Sequence, residues 1–198
     1  MITQNSSDGL FSPIKSRSCT VTIVSNEPYF DMYSGTSHGT SLVVNNLSKG
    51  ECIFFGYVTP CEYNQPYQYL NQIEIEAVDA ISTLQDFKYS YTSSSEAFNH
   101  IASIIKKLVS VAGYSGKILV PQYGCMMKKS WDYEYIPTAM EVLNDDIFYD
   151  KGEPISCYEV LEEICNFYGF TCIPYGNDVF FVDYEGVAKY GINYSWLT

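Results

Sequence analysis

The sequence has little of what catalytic chemistry usually draws on. Two histidines, His38 and His100, and a single arginine, Arg17, are spread over 198 residues. No G-x-S-x-G, G-x-x-x-x-G-K-[ST] or H-E-x-x-H pattern occurs, which removes the nucleophile elbow, the phosphate loop and the two-histidine zinc helix. His38, in a Ser-Gly-Thr-Ser-His-Gly loop, and His100, beside Ile101, read as surface or rim residues rather than as partners of a nucleophile. There are seven cysteines and no C-x-x-C, so zinc ribbons and fingers fail on spacing. The thiols lie mostly in apolar stretches and are expected to be reduced and packed as small hydrophobes.

Other absences narrow the class further. No apolar run approaches the roughly 18 residues of a membrane span. The stretch Met1 to Asp8 has neither a basic nor an apolar region, so no secretory signal is expected. Lys106-Lys107 and Lys128-Lys129 are too small to form a basic stripe, and sequence-specific nucleic-acid binding is not expected. Asn144-Asp145-Asp146 with Asp150 lacks the residue order of a calcium loop and reads as a solvated turn. Glycosidases need only two carboxylates, but no pair stands out. We expect no enzyme, no cofactor and no metal.

What is present is acid, tyrosine and strand. The formal charge is −12. From Asp132 to Gly186 there are 13 acidic residues and one lysine, Lys151, while the rest of the chain sums to zero. Asp145, Asp146, Asp150, Glu162 and Glu163 are the candidate acidic face, a fixed negative field that repels phosphate backbones. The 19 tyrosines include Tyr63, Tyr67 and Tyr69 in one stretch, a candidate contact surface because the ring is apolar and the hydroxyl polar.

The hydrophobic period divides the chain. Thr20–Val24, Ser41–Val44, Cys52–Val58 and Gln72–Val78 read as strands, the last alternating polar and apolar. Residues 10–92 are therefore expected to form an antiparallel β-barrel or sandwich. Residues 93–198 are expected to form an α+β domain. Ser93 and Glu96 form a capping box for a helix near 94–112, stopped by Gly113, and a helical turn is expected within Ile136–Asn144. Ser156 and Glu159 cap a second helix near 157–168, ended by Gly169. A hairpin near 171–184 turns at Gly176-Asn177, with Pro174 requiring an edge position or a bulge. The fold class is α+β.

Several runs carry a resemblance. Leu10-Phe11-Ser12-Pro13-Ile14-Lys15-Ser16, Phe54-Phe55-Gly56-Tyr57-Val58-Thr59-Pro60, Tyr63-Asn64-Gln65-Pro66-Tyr67 and Glu76 to Leu84 resemble tail proteins of phages and prophages of gut Bacteroidetes. Cys157 to Cys165, Phe167-Tyr168-Gly169 and Val179 to Asp183 are similar to the same family. The resemblance implies a structural hub or baseplate protein of the virion tail, made in the bacterial cytoplasm. It further implies a ring of three or six copies about the tail axis, in contact with other tail proteins. In such a ring the acidic third would line a channel through which DNA slides. The other reading is a carbohydrate- or protein-binding, adhesin-like module that uses Tyr63, Tyr67 and Tyr69.

Overall fold

The computed structural model describes residues 1–4, 9, 12–27, 30–33, 35–60, 71–91, 98–121, 141–192 and 194–197. Five strands build the first sheet: β1 (Ile2–Gln4), β2 (Arg17–Ser25), β3 (Ser41–Asn46), β4 (Glu51–Val58) and β5 (Asn71–Asp79). Their order is β1-β2-β5-β4-β3, antiparallel throughout. β5 holds the centre because its alternation gives it one apolar face. Ile73, Ile75 and Ala77 are buried while Gln72, Glu74 and Glu76 are exposed. The register carries that face across the sheet, setting Cys19 opposite Ala77, Val21 opposite Ile75 and Ile23 opposite Ile73. Phe54 of β4 is fully buried with Cys19 and Ala77, and Ile2, Val21, Leu42 and Val44 pack around them. The sheet is open, with β1 and β3 at its edges. Of the barrel and the sandwich expected from sequence, no closed barrel forms among the described residues.

The second half begins differently from the expected helix. Phe98–His100 is a short strand, β6, paired with β8 (Val142–Asn144). α1 therefore spans Ile101–Val111, with His100 at its N-cap in extended conformation and no side-chain cap. The strand partner supplies what a cap would: Ile101 N–H donates to the Glu141 carbonyl at 3.2 Å. The Ser93–Glu96 capping box lies outside the described residues. So does most of the turn expected within Ile136–Asn144, whose described end, Val142–Asn144, is strand and not helix.

β7 (Ile118–Pro121) lies between β6 and β8 in sequence, and β9 (Tyr149–Asp150) pairs with β10 (Glu153–Pro154). α2 spans Cys157–Tyr168 and has the complete reciprocal box between Ser156 and Glu159. It ends at Gly169, whose φ of 68° is the left-handed conformation such an end requires. β11 (Thr171–Tyr175) and β12 (Asp178–Val182) form the expected hairpin. Pro174 sits on an edge strand, since the sheet order is β11-β12-β7-β13 with β13 at Tyr194–Leu197. A third helix, α3 (Tyr184–Tyr190), follows, with Asp183 accepting from Gly186 N–H at 2.8 Å as its N-cap. The mixed content bears out the α+β class.

The largest core joins the two halves of the chain. It takes Ile14, Ala80, Ile81, Leu84 and Tyr89 from before position 92, together with the apolar faces of α1, α2 and the second sheet. Backbone bonds stitch across the same seam. Lys15 N–H donates to the Cys172 carbonyl at 2.9 Å, and Cys172 N–H donates to Pro13 at 2.7 Å. Cys157 N–H donates to Phe87 at 2.8 Å. Of the five described thiols, Cys19, Cys157, Cys165 and Cys172 are buried, Cys52 is half-buried, and all are free. Burial pushes Cys165 up to about 12 and Cys172 up as well, which keeps both thiols protonated and inert.

The hairpin turn gives a test of this packing. Gly176 has φ 58°, and a Cβ there would stand 2.1 Å from the Cys52 carbonyl oxygen of the first sheet. Gly152 has φ 88° and open space around it. Both glycines relieve backbone strain, and only Gly176 also permits a close approach. Gly152→Ala is expected to cost about 1 kcal/mol and Gly176→Ala about 2 kcal/mol or more in chemical denaturation. Equal losses would overturn this reading of the sheet-to-sheet contact.

Candidate functional site

Of the candidate acidic residues, Asp145 is not on the surface. Asp145 is fully buried and accepts a hydrogen bond from Tyr89 Oη at 2.8 Å. Its charge is thus not on the surface, which corrects its place in an acidic face. Asp146 is exposed and accepts from Tyr91 Oη at 2.8 Å. Tyr91 in turn stacks on Tyr149, with centroids 4.7 Å apart. Lys107 Nζ lies 5.1 Å from the Tyr89 ring centre and donates to the Tyr91 carbonyl at 2.7 Å. Asn144 Oδ1 caps the turn by accepting from Asp146 N–H at 2.9 Å. The densest acidic run is therefore a folded turn held by tyrosines. Asp150 and Glu163 are exposed, and Glu162 is half-buried on α2. No group of three or more ligating side chains is placed to hold a metal among the described residues. Tyr63, Tyr67 and Tyr69 lie outside the described residues.

A cavity of about 430 Å³ opens where the ends of β4 and β5 meet the 3-10 helix Ser82–Asp86. Hydroxyl residues dominate its wall: Ser37, Tyr57, Thr59, Ser82, Thr83 and Tyr158, joined by Gln85 and Asp86. His38 braces the wall. Its ring stacks on Tyr57 at 4.1 Å between centroids, leans on Phe87 at 4.5 Å, and its Nε2 lies 2.6 Å from Thr83 Oγ1. Thr83 gives its own hydroxyl proton to the Ala80 carbonyl at 2.7 Å, so it accepts from His38 Nε2–H. In that tautomer His38 cannot serve Thr83 as a base. Burial lowers the His38 pKa, partly offset by the Asp86 carboxylate. Ser37 Oγ donates to Asp86 Oδ2. Sequence reasoning placed His38 at a rim but missed the cavity, because Ser37, Tyr57, Thr83 and Tyr158 converge only through tertiary folding.

Beside this cavity, between its lining residues Val78 and Ser82, lies the most strongly perturbed carboxylate among the described residues. Asp79 is fully buried at the end of β5. It accepts from Arg17 N–H, from Ser82 N–H at 3.0 Å and from Ser82 Oγ at 3.2 Å. Burial pushes its carboxyl up to about 6 despite those donors and the Arg17 charge.

The sheet edges are the other feature that bears on partners. β3 is a six-residue edge strand, Ser41-Leu42-Val43-Val44-Asn45-Asn46, with no charge and no proline. Val43 is half exposed at 50%, and Leu47 just beyond it stands 94% exposed. A β-bulge between Val44 and Asn45 is its one irregularity. No helix among the described residues is long and apolar enough to cross a membrane.

No family model matches the chain, and no curated protein matches it. Among solved structures, it is similar to a 43 kDa tail protein of prophage MuSo2 from Shewanella oneidensis. The match has a TM-score of 0.46 at 15% identity and covers 85% of this chain. It covers 44% of the tail protein, so this chain spans less than half of that protein's length.

The Asp79 titration can be checked. Its folded pKa lies above the ordinary 3.8, so the folded state holds the proton more tightly than the unfolded state. This group's contribution to stability is full below about pH 4 and falls away as pH rises through about 6. A carboxyl-carbon NMR titration is expected to place the Asp79 midpoint above 5. A midpoint at or below 4 would overturn the burial argument.

Proposed function

We propose that the chain is a structural component of a phage or prophage tail, of the hub or baseplate kind, that associates with copies of itself and with other tail proteins. The observation that carries this reading is the β3 edge. Edge strands of free-standing proteins are normally blunted by lysine, proline or very short length. β3 has six uncharged residues and exposed valine and leucine beside it, a surface built to accept another strand. The first sheet has β1 at its far edge, so β3 of one copy meeting β1 of the next is a head-to-tail contact, which closes a ring when the rotation permits. Three or six copies about the tail axis, with the acidic excess of the C-terminal third turned toward the lumen, is the arrangement proposed. His38 is engaged in a way that fits a non-enzymatic role, since its ring nitrogen bonds Thr83.

Light scattering at two protein concentrations and two salt levels tests this. The native sequence is expected to give a discrete trimer or hexamer. Val43→Lys, which places a charge on the edge strand, is expected to shift the mass toward monomer with the thermal transition moved by no more than a few degrees. A monomer at the highest concentration, or a Val43→Lys variant that assembles as the native chain does, would sink the proposal.

A further inference from the structure

We propose that the cavity walled by Ser37, Tyr57, Thr59, Thr83, Asp86 and Tyr158 is a binding site for a single neutral sugar residue. Its volume of about 430 Å³ falls within the roughly 300–1,000 Å³ typical of small-molecule sites. The chemistry of the wall selects the ligand. An apolar ligand would strip water from the Asp86 carboxylate, whose Oδ1 has no partner among the described residues, without giving it a hydrogen bond in return. An anion would face the Asp86 carboxylate, and no lysine or arginine is among the described lining residues. A neutral polyol fits both constraints. Its hydroxyls donate to the carboxylate and trade bonds with Ser and Thr, while a C–H face can lie on a tyrosine ring.

The wall is also set before any ligand arrives. Ser37 fixes Asp86 through Oδ2, and no other described group bonds Oδ1. His38 fixes both the Tyr57 ring, by stacking, and the Thr83 hydroxyl, by hydrogen bonding. The Tyr57 hydroxyl packs against Gly113, where a Cβ would stand 2.3 Å from it. Groups held in place this way lose little freedom on binding, which favours affinity for a small ligand. Because burial keeps His38 largely neutral near pH 7, the site has one formal charge, that of Asp86.

Saturation-transfer NMR on the native chain tests the site, with glucose, galactose and N-acetylglucosamine as neutral probes, glucuronate as the anion and choline as an organic cation. Transfer to at least one neutral sugar and none to glucuronate is expected. Asp86→Ala, at an exposed position, is expected to weaken sugar binding about tenfold or more. Glu74→Ala, which removes an exposed carboxylate of β5, is expected to change it less than about twofold. Gln85→Ala is the second cavity variant, read in case Asp86→Ala fails to fold. Absence of transfer from every neutral sugar, a preference for choline, or binding indifferent to a folded cavity variant would overturn the site. The assembly reading stands apart, since the Val43→Lys chain retains the whole cavity and is expected to bind the same sugar.

Discussion

The fold turns on one buried carboxylate. Asp79 ends β5, and the donors it accepts come from the first residue of β2 and from the start of the 3-10 helix. Arg17, the single arginine of the chain, completes the junction. Its Nη1 donates to the Ile53 carbonyl of β4 at 3.1 Å, and its guanidinium carbon lies 5.9 Å from the Phe54 ring centre and 5.6 Å from that of Tyr175. Nε and Nη2 are buried without hydrogen-bond partners among the described residues. A guanidinium spread over two aromatic rings tolerates this better than an ammonium would, being planar and less strongly hydrated. The contact joins β2, β4, β5, the 3-10 helix and β11, which are the elements through which the two sheets meet. Asp79 is fully buried and Arg17 half-buried, and no hydrogen bond joins their charged groups among the described residues; the value of the junction is positional, since it fixes where the chain leaves the first sheet and turns into the second core.

The cavity is a consequence of that turn. After Asp79 the chain runs Ala80-Ile81 into the main core, both fully buried. This drives the 3-10 helix across the end of β4 and presents Thr83, Gln85 and Asp86 beside Tyr57 and Thr59. Two hydrogen-bonded anchors on one short helix, Asp79 below and His38 above, leave it little room to shift. The hydroxyl wall is thus built from rigid elements, with the loop carrying Ser37 and His38 tied down to them.

The parts of this fold that were legible in the sequence are those written locally. Alternation in Gln72–Val78, reciprocal capping by Ser156 and Glu159, and the glycine at the start of the Gly176-Asn177 turn each act within a few residues. The parts that were not legible depend on distant partners. Phe98-Asn99-His100 continues a helical pattern on paper but pairs with Val142–Asn144 instead, because a strand partner satisfies its backbone before the helix begins. α3 was hidden by Gly186 within it, and only the Asp183 cap marked its start. Asp145 read as solvent-facing from its acidic neighbours, yet Tyr89, 56 residues away, holds it inside. The cavity left no local trace at all, since its wall is drawn from residues between Ser16 and Tyr158.

The treatment of the strand edges differs between the two sheets, and the difference has a physical logic. In the second sheet, β11 carries Pro174, which has no N–H to offer a neighbour, and its other end is covered where Pro13 and Lys15 bond Cys172. That edge is closed twice. In the first sheet the central strands carry the charges, Glu74 and Glu76 on β5, while the edge strand β3 carries none. A protein selected to remain solitary places its charge the other way round, at the edge, where it blocks pairing most effectively. With a net charge of −12, the chain resists indiscriminate clumping through long-range repulsion. In the proposed assembly, pairing at β3 would therefore be confined to partners that meet it at close range and in register, as a strand added to the sheet must.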